Sequence, residues 1–560
     1  MKTSNFLGLL FTALILSMGV TTRYCDAKDL KSAAVAAPDA YGAIAAKEIL
    51  RQGGNAVDAS VATAFTLAVT KPDAGNLGGG GFMTIFLDGK PYFLDYREVA
   101  PQAATANMYL DDKGNVIENL SLIGNLAVAV PGTVKGMWAA HQRFGRLKWA
   151  QVLAPAIRYA QKGFTVSKYL NDTRNASLKD FSATNFAQYF KGMKTGQRFV
   201  QPELEQTLRR IAQNGAPEFY EGHTADLLVT QMSKNQKGII TKEDLKQYQA
   251  VWREPLQVEW NGFNVITAPP PSSGGIALLQ LLKMKANLAP HFNQVPLNSP
   301  KYIHLVSEME KRVFADRAKY LGDPAFVNVP VTRLLDDTYV EQRAAEVNPK
   351  TISPTPNIKA GLEKPQTTHF SIVDKWGNAV SNTYTLNGDY GSGVVVEGAG
   401  FLLNDEMDDF SSKPGAPNLF GVVGGDANAI APHKRPLSSM SPTILTKKDT
   451  PVLVIGTPGG SRIFTSIFQT ITNIYDYKMP LRGAVAAMRF HHQLLPKDTI
   501  FFEPYKPIRG YLAKALQDRG YKLENQGWTG DVQAILIRQD QPMPVSDPRG
   551  TGTSLIVPNK

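Results

Sequence analysis

A single cysteine, Cys25, stands in a chain of 560 residues, so no internal disulfide can form. The eight histidines are scattered, with neither Cys/His zinc spacing nor a His-Glu-x-x-His pair, which excludes zinc fingers and the commonest zinc protease motif. No run of Lys or Arg exceeds two residues, so the net charge of +11 is dispersed and does not mark a nucleic-acid-binding face. No period of roughly 20 to 50 residues repeats, which excludes solenoids and propellers. Hydrophobic residues at 43% and charged residues at 19% match an ordinary globular protein and exclude a disordered or polytopic one. Long apolar runs are also scarce. The stretch from Phe6 to Val20 falls short of the ~20 residues that span a bilayer, and no later segment makes up for it. With Lys2 before it and Cys25-Asp26-Ala27 after it, residues 1–27 read as a secretory signal peptide. The protein is therefore expected to be exported, to the periplasm or the medium, with no stable membrane insertion once the signal is removed.

What is present begins with a helix-rich first half. Asp39 to Gln52 reads as a helix stopped by Gly53-Gly54, and Asn55 is an N-cap for a second helix over Ala56 to Val69. Next come Gly75-Asn76-Leu77-Gly78-Gly79-Gly80-Gly81-Phe82 and two β-like runs, Phe82 to Leu87 and Tyr92 to Tyr96, joined around Asp88-Gly89. The glycines lack the GKS/GKT or G-x-G-x-x-G context of a phosphate cradle, and suit a tight backbone crossing. Residues 350–366, rich in proline and poor in apolar residues, read as an exposed linker.

The chemistry concentrates after this linker. Thr367 to Asp374 and Asn378 to Thr385 are β-like runs separated by Lys375-Trp376-Gly377, a three-residue hairpin loop with glycine at its left-handed position. That register sets Thr367 opposite Thr385, with side chains ~5 Å apart. Taken alone, this is also an ordinary Thr-Thr pair of a sheet. Pro442 to Thr446, a turn over 447–450 and a buried strand from Pro451 to Thr457 form another hairpin, which runs into Pro458-Gly459-Gly460-Ser461-Arg462. Ile463, Phe464, Ile467, Phe468, Ile471 and Ile474 recur at helical spacing, so a helix begins just after the glycines. The Gly-Gly pair serves either as a tight strand–helix turn or as an exposed pair of N–H donors for an oxyanion. Between the hairpins lie the acidic segment Asn404 to Phe410 and the run Arg435-Pro436-Leu437-Ser438-Ser439-Met440. The first can hold an ammonium group or a cation, though EF-hand spacing is missing; the second, with Lys434, can hold a carboxylate. Either can equally be a solvated loop.

Together these residues resemble the γ-glutamyltransferases, members of the N-terminal-nucleophile hydrolases. The resemblance runs from Gly53-Gly54-Asn55-Ala56-Val57-Asp58 through Gly78 to Phe82, Asp95-Tyr96-Arg97-Glu98 and Val130-Pro131-Gly132-Thr133, and becomes dense from Thr367 to Arg462. It implies an α+β fold, a four-layer αββα sandwich shared by two pieces of a self-cleaved precursor. The cut falls between Gln366 and Thr367, giving residues 28–366 and 367–560. Thr367 becomes the nucleophile, oriented by Thr385, and Gly459 and Gly460 bind the oxyanion. Cleavage matters because a threonine hydroxyl needs a base, and the freed α-amine, with a pKa of ~7.7 to 8, is one on the same residue. By the same resemblance Arg97, Ser438 and Ser439 hold the substrate α-carboxylate, and Asn387, Glu406 and Asp409 hold its α-ammonium. Phe420 stands at the tip of a lid over 414–425, where several bacterial relatives have tyrosine, and Glu406 stands where some have glutamine. The implied donors are glutathione, glutamine and related γ-glutamyl compounds, and the acceptors are water, amino acids or dipeptides. No metal, cofactor or nucleic acid is implied. Two rivals share parts of this pattern: a cephalosporin (glutaryl) acylase of the same nucleophile class, and an exported γ-glutamyl-peptide binding protein that does not cut itself.

Overall fold

Strand periodicity has a direct structural outcome here, because alternate residues of the central strands face different layers. A computed structural model describes residues 29–234, 238–354, 367–413, 424–527 and 529–559. Residues 1–27, expected to be a signal peptide, Gln366 and Phe420 with nearly all of its loop lie outside the described residues. A seven-stranded sheet runs in the order Thr553–Pro558, Ser32–Ala37, Thr368–Val373, Ala379–Thr385, Gly80–Leu87, Lys90–Tyr96, Val251–Arg253. A six-stranded sheet runs Gln541–Ser546, Gln533–Arg538, Thr450–Gly456, Thr443–Lys447, Phe263–Thr267, Leu256–Trp260. Neighbouring strands are antiparallel in both.

In the first sheet Val35, Ile85, Ile372 and Val380 face an outer layer that includes the helices Ala40–Arg51 and Ala56–Thr70. Their sequence neighbours Ala34, Ala36, Phe86, Val373 and Ala379 face the other way, onto Ile266, Ile444, Val454 and Ile535 of the second sheet. Leu445, Leu453, Ile455 and Leu536 then face a second helical layer that includes Gly274–Asn287, Pro300–Tyr320 and Ile463–Tyr475. The result is the four-layer αββα order. The layer between the sheets is not only apolar. Thr84 Oγ1 donates to the Pro442 carbonyl at 2.7 Å, Ser381 Oγ to that of Ile455 at 3.0 Å and Ser371 Oγ to that of Gln533 at 3.0 Å. These short side chains let the sheets approach while satisfying buried polar groups.

The helix signals hold: Asp39 caps the first helix, and Asn55 forms a capping box with Asp58 on the second. The glycine run is the close crossing expected of it. A Cβ on Gly79 would lie 2.0 Å from the Thr385 carbonyl oxygen, and one on Gly81 would lie 2.4 Å from that of Thr383. Several boundaries differ from the sequence reading. The strands flanking Asp88-Gly89 extend to Gly80 and Lys90, because main-chain pairing does not require the branched or aromatic residues that marked them. The 447–450 turn is tighter than expected, with only Lys448 and Asp449 between paired residues, both at positive φ. The helix after Gly459-Gly460 is preceded by a 3₁₀ turn, Gly460–Arg462.

Candidate active site

The hairpin after the linker pairs as its loop length demands. Tyr384 faces Thr368, Thr383 faces His369 and so on to Ala379 opposite Val373, with Gly377 at φ 84° closing the loop. Thr367 is one residue ahead of the strand, and continuing the ladder sets it beside Thr385. Thr367, His369 and Ser371 share a face, as do Thr385, Thr383 and Ser381, and Ser371 and Ser381 both reach the second sheet. Both threonines therefore point between the sheets, at the end where the second sheet's Thr450–Gly456 strand delivers the Gly-Gly turn. Thr367, Thr385 and Gly460 all line one cavity, with Asn387, Glu406, Asp409, Ser438 and Ser439. His369 lies beneath, between Thr383 Oγ1 at 2.8 Å and Ser371 Oγ at 3.1 Å, and burial pulls its pKa down to about 3, so it is neutral. It is a packing group of the inter-sheet layer.

Thr385 Oγ1 accepts the Asn387 N–H at 2.8 Å, and its carbonyl accepts Asn76 Nδ2 at 2.9 Å, so the residue is held from both sides. Asn387, at φ 80°, donates its amide nitrogen to the Asp405 carbonyl at 3.0 Å. Its Oδ1 is buried with no hydrogen-bond partner among the described residues, and so is Glu406 Oε2. Two orphaned acceptors on one cavity are the pattern that a donor-only ligand such as an ammonium completes.

The acidic segment folds as a 3₁₀ turn, Glu406–Asp409, in which residues three apart eclipse. Glu406 and Asp409 consequently both reach Arg97, while Asp408 Oδ1 accepts Ser121 Oγ at 2.6 Å. Arg97 is fully buried and also pairs with Glu98 at 3.2 Å, and it donates to the carbonyls of Pro436 at 3.2 Å and Leu437 at 3.3 Å. Burial pushes the Glu98 carboxyl up to about 7 against the pull of Arg97, and the Glu406 and Asp409 carboxyls are also raised, chiefly by burial. Arg97 thus stands against the acids expected to hold the ammonium, behind the cavity wall. Gly459, at φ 138°, is next to the cavity-lining Gly460 in the same turn. Ser438 Oγ accepts the Met440 N–H at 3.1 Å.

Two cations suggested by sequence do not serve the cavity. Lys434 Nζ donates to the carbonyls of Ala427 and Ala429, both at 2.8 Å. Arg435 pairs with Asp95 at 3.2 Å and donates to the Gln249 carbonyl at 2.7 Å. In their place Arg317, from the Pro300–Tyr320 helix, lines the cavity together with Ser461. Sequence reasoning missed both. Arg317 lies far from the dense motifs on a helix of ordinary amphipathic pattern, and only Ser461's position beside the Gly-Gly pair could have drawn attention to it.

An αββα sandwich with a threonine at the head of a central strand, facing a Gly-Gly turn across the inter-sheet layer, is the architecture of an N-terminal-nucleophile hydrolase. A family model described as Gamma-glutamyltranspeptidase matches residues 42–557. A glutathione hydrolase proenzyme of Pseudomonas aeruginosa is 62% identical over 553 residues, 98% of this chain and 99% of its own. The chain belongs to the gamma-glutamyltranspeptidase family. Among solved structures, a gamma-glutamyltranspeptidase from Pseudomonas nitroreducens complexed with L-DON is 61% identical, with a TM-score of 0.56 over 57% of this chain and 95% of that one. A cephalosporin acylase from Bacillus halodurans, 28% identical, overlays with a TM-score of 0.83 over 94% of this chain and 96% of its own.

Proposed function

We propose that this protein is a self-processing γ-glutamyltransferase and hydrolase that cleaves γ-glutamyl amides such as glutathione through an ester on Thr367. The observation that carries the reading is the single cavity holding Thr367, Thr385 and Gly460 beside the orphaned acceptors Asn387 Oδ1 and Glu406 Oε2. In the precursor, Thr367 Oγ1 attacks the Gln366 carbonyl; the peptide C–N bond breaks, the amine takes up the hydroxyl proton, and water opens the resulting ester. The new α-amine is then the base for Thr367. It accepts the hydroxyl proton as Oγ1 adds to the γ-glutamyl carbonyl and passes it to the departing amine. Thr385, its oxygen engaged by the Asn387 amide, orients Thr367, and the N–H groups of Gly459 and Gly460 receive the oxyanion. Water or an incoming amine opens the acyl ester. Residues 28–366 and 367–560 are the two products of the cut, and the molecule acts after export.

The glutaryl acylase reading has the Bacillus halodurans overlay in its favour, but a glutaryl group carries no ammonium for Asn387 and Glu406. Mass spectrometry of purified protein is expected to find a chain starting at Thr367, and Thr367→Ala to remain whole and inactive. A smaller chain starting elsewhere would overturn the cleavage assignment. Faster hydrolysis of a glutaryl anilide than of a γ-glutamyl anilide would select the acylase.

A further inference from the structure

Two buried side-chain amides grip consecutive residues of the glycine crossing, and both stand behind the cavity wall rather than in it. Asn76 is 3% exposed and uses its whole carboxamide. Its Nδ2 donates to the carbonyls of Ala74 at 3.0 Å and Thr385 at 2.9 Å, and its Oδ1 accepts the Gly79 N–H at 3.0 Å and the Thr133 hydroxyl at 2.6 Å. Asn404, fully buried, does the same one residue earlier in the run. Its Nδ2 donates to the carbonyls of Gly78 at 2.7 Å and Ala129 at 2.8 Å, and its Oδ1 accepts the N–H groups of Ala129 and Glu406, both at 3.0 Å. A carboxamide offers two donors and two acceptor sites, and each of these fills all four. That fixes how each lies: turned over, its NH2 would face a backbone N–H and its oxygen two carbonyls.

Asn76 ties the crossing to the last residue of the Ala379–Thr385 strand, and Asn404 ties it to the first residue of the Glu406–Asp409 turn. Consecutive Cα atoms lie ~3.8 Å apart across a trans peptide, so the dipeptide Gly78-Gly79 sets the spacing of the two elements. The crossing has no slack. A Cβ on Gly78 would lie 2.2 Å from the Leu402 carbonyl oxygen, and the Gly79 carbonyl itself accepts the N–H groups of Gly132 at 2.7 Å and Thr133 at 3.0 Å. A fully satisfied buried amide adds direction that apolar packing does not, and here both directions lead from one rigid dipeptide.

We propose that Asn76 and Asn404 are positioning residues: Asn76 holds Thr385 in line with Thr367, and Asn404 holds the Glu406 turn at the ammonium end, both against Gly78-Gly79. This deepens the γ-glutamyl reading and rests on it. The test follows self-cleavage of the precursor and γ-glutamyl-p-nitroanilide kinetics of the processed protein. Asn76→Asp keeps the shape and the Oδ1 bonds but turns an oxygen onto the Thr385 carbonyl. Its kcat and its self-cleavage rate should both fall about 10- to 100-fold at parent KM, the loss typical of reacting groups displaced by an ångström or less. Combined with Thr385→Val it should cost little more than Thr385→Val alone, because it acts through that residue. Losses that multiply would mark a general structural role and overturn the proposal. Asn404→Ala removes the acceptor of the Glu406 N–H, so KM should rise about 10-fold with kcat less affected. Its self-cleavage should keep the parent rate, because the internal Gln366 bond presents no α-ammonium. The same kinetic pattern in both variants, or none in Asn76→Asp, would overturn the assignment. If either variant fails to fold, the milder Thr133→Val and Asn404→Ser replace Asn76→Asp and Asn404→Ala; a lower kcat in the first and a higher KM in the second support the proposal, and parent kinetics overturn it. A parent protein inactive on the anilide would sink the substrate reading instead, and the self-cleavage rates would still decide the role of Asn76.

Discussion

At Thr385 one hydroxyl separates an ordinary sheet threonine from the positioning group proposed for it. Its oxygen accepts the Asn387 N–H at 2.8 Å, which directs its own proton away from that amide, and it shares the cavity wall with Thr367. Thr385→Val keeps the shape and removes the hydrogen bond, so kcat is expected to fall about 5- to 150-fold, equivalent to ~1 to 3 kcal/mol. Steady-state kinetics of processed protein check this, and unchanged turnover would remove Thr385 from the machinery. A second residue-level expectation concerns Asp531, beside the Gly-Gly turn. Burial and the neighbouring Asp547 raise its carboxyl to about 8, against the pull of Lys71 and Arg489. A carboxyl whose folded pKa lies above its unfolded value favours folding at low pH and loses that contribution as pH rises through the folded pKa. The stability advantage of Asp531→Asn over the parent should therefore widen from about pH 4 to about pH 8 and then level off. Melting temperatures across that range measure it, and a pH-independent gap would show that Asp531 does not titrate this way.

Elements place these residues through a few backbone contacts. The Gly80–Leu87 strand lies against the Ala379–Thr385 strand, with Gly81 opposite Tyr384 and Gly80 opposite Thr385. A Cβ on Gly81 would meet the Thr383 carbonyl oxygen at 2.4 Å and Tyr384 Cβ at 2.5 Å, atoms that cannot move without shifting the strand carrying Thr385. Gly81→Ala is expected to cost on the order of 1 to 3 kcal/mol and to slow self-cleavage as well, because the same displacement shifts Thr385 relative to Thr367, the proposed nucleophile. Gel analysis of cleavage alongside thermal melts tests the link; normal cleavage in a destabilised variant would break it. Both hairpins were legible as elements because strand patterning and turn glycines are local signals. The length of the 447–450 turn was not, because Lys448 and Asp449 adopt positive φ without the glycine that usually announces it.

Across the whole molecule, both sheets mix segments from either side of the Gln366–Thr367 bond. In the first, Thr368–Val373 lies between Ser32–Ala37 and Ala379–Thr385, and Ala379–Thr385 pairs in turn with Gly80–Leu87. In the second, Thr443–Lys447 pairs with Phe263–Thr267. Cutting one peptide bond leaves these ladders and the shared core unchanged, so the two pieces are expected to elute as one species and to melt in a single transition. Residues 367–560 expressed alone would lack the strands that cover theirs and should not fold. Separation of the pieces on a sizing column under native conditions would contradict this interleaving.

The sequence alone determined the hairpin register that joins Thr367 to Thr385, the two capped helices, the glycine crossing and the strand–Gly-Gly–helix unit, since each depends on residues within a few positions of one another. The resemblance carried by its motifs led to the αββα order and to the residues of the cavity. Only the tertiary structure decided which cations face that cavity. Lys434 and Arg435 adjoin the serine pair in sequence yet satisfy carbonyls and Asp95 elsewhere, whereas Arg317 arrives from a helix of the second sheet's outer layer. Charge pairing between distant segments depends on side-chain direction and burial after packing, and no local pattern in the chain encodes either.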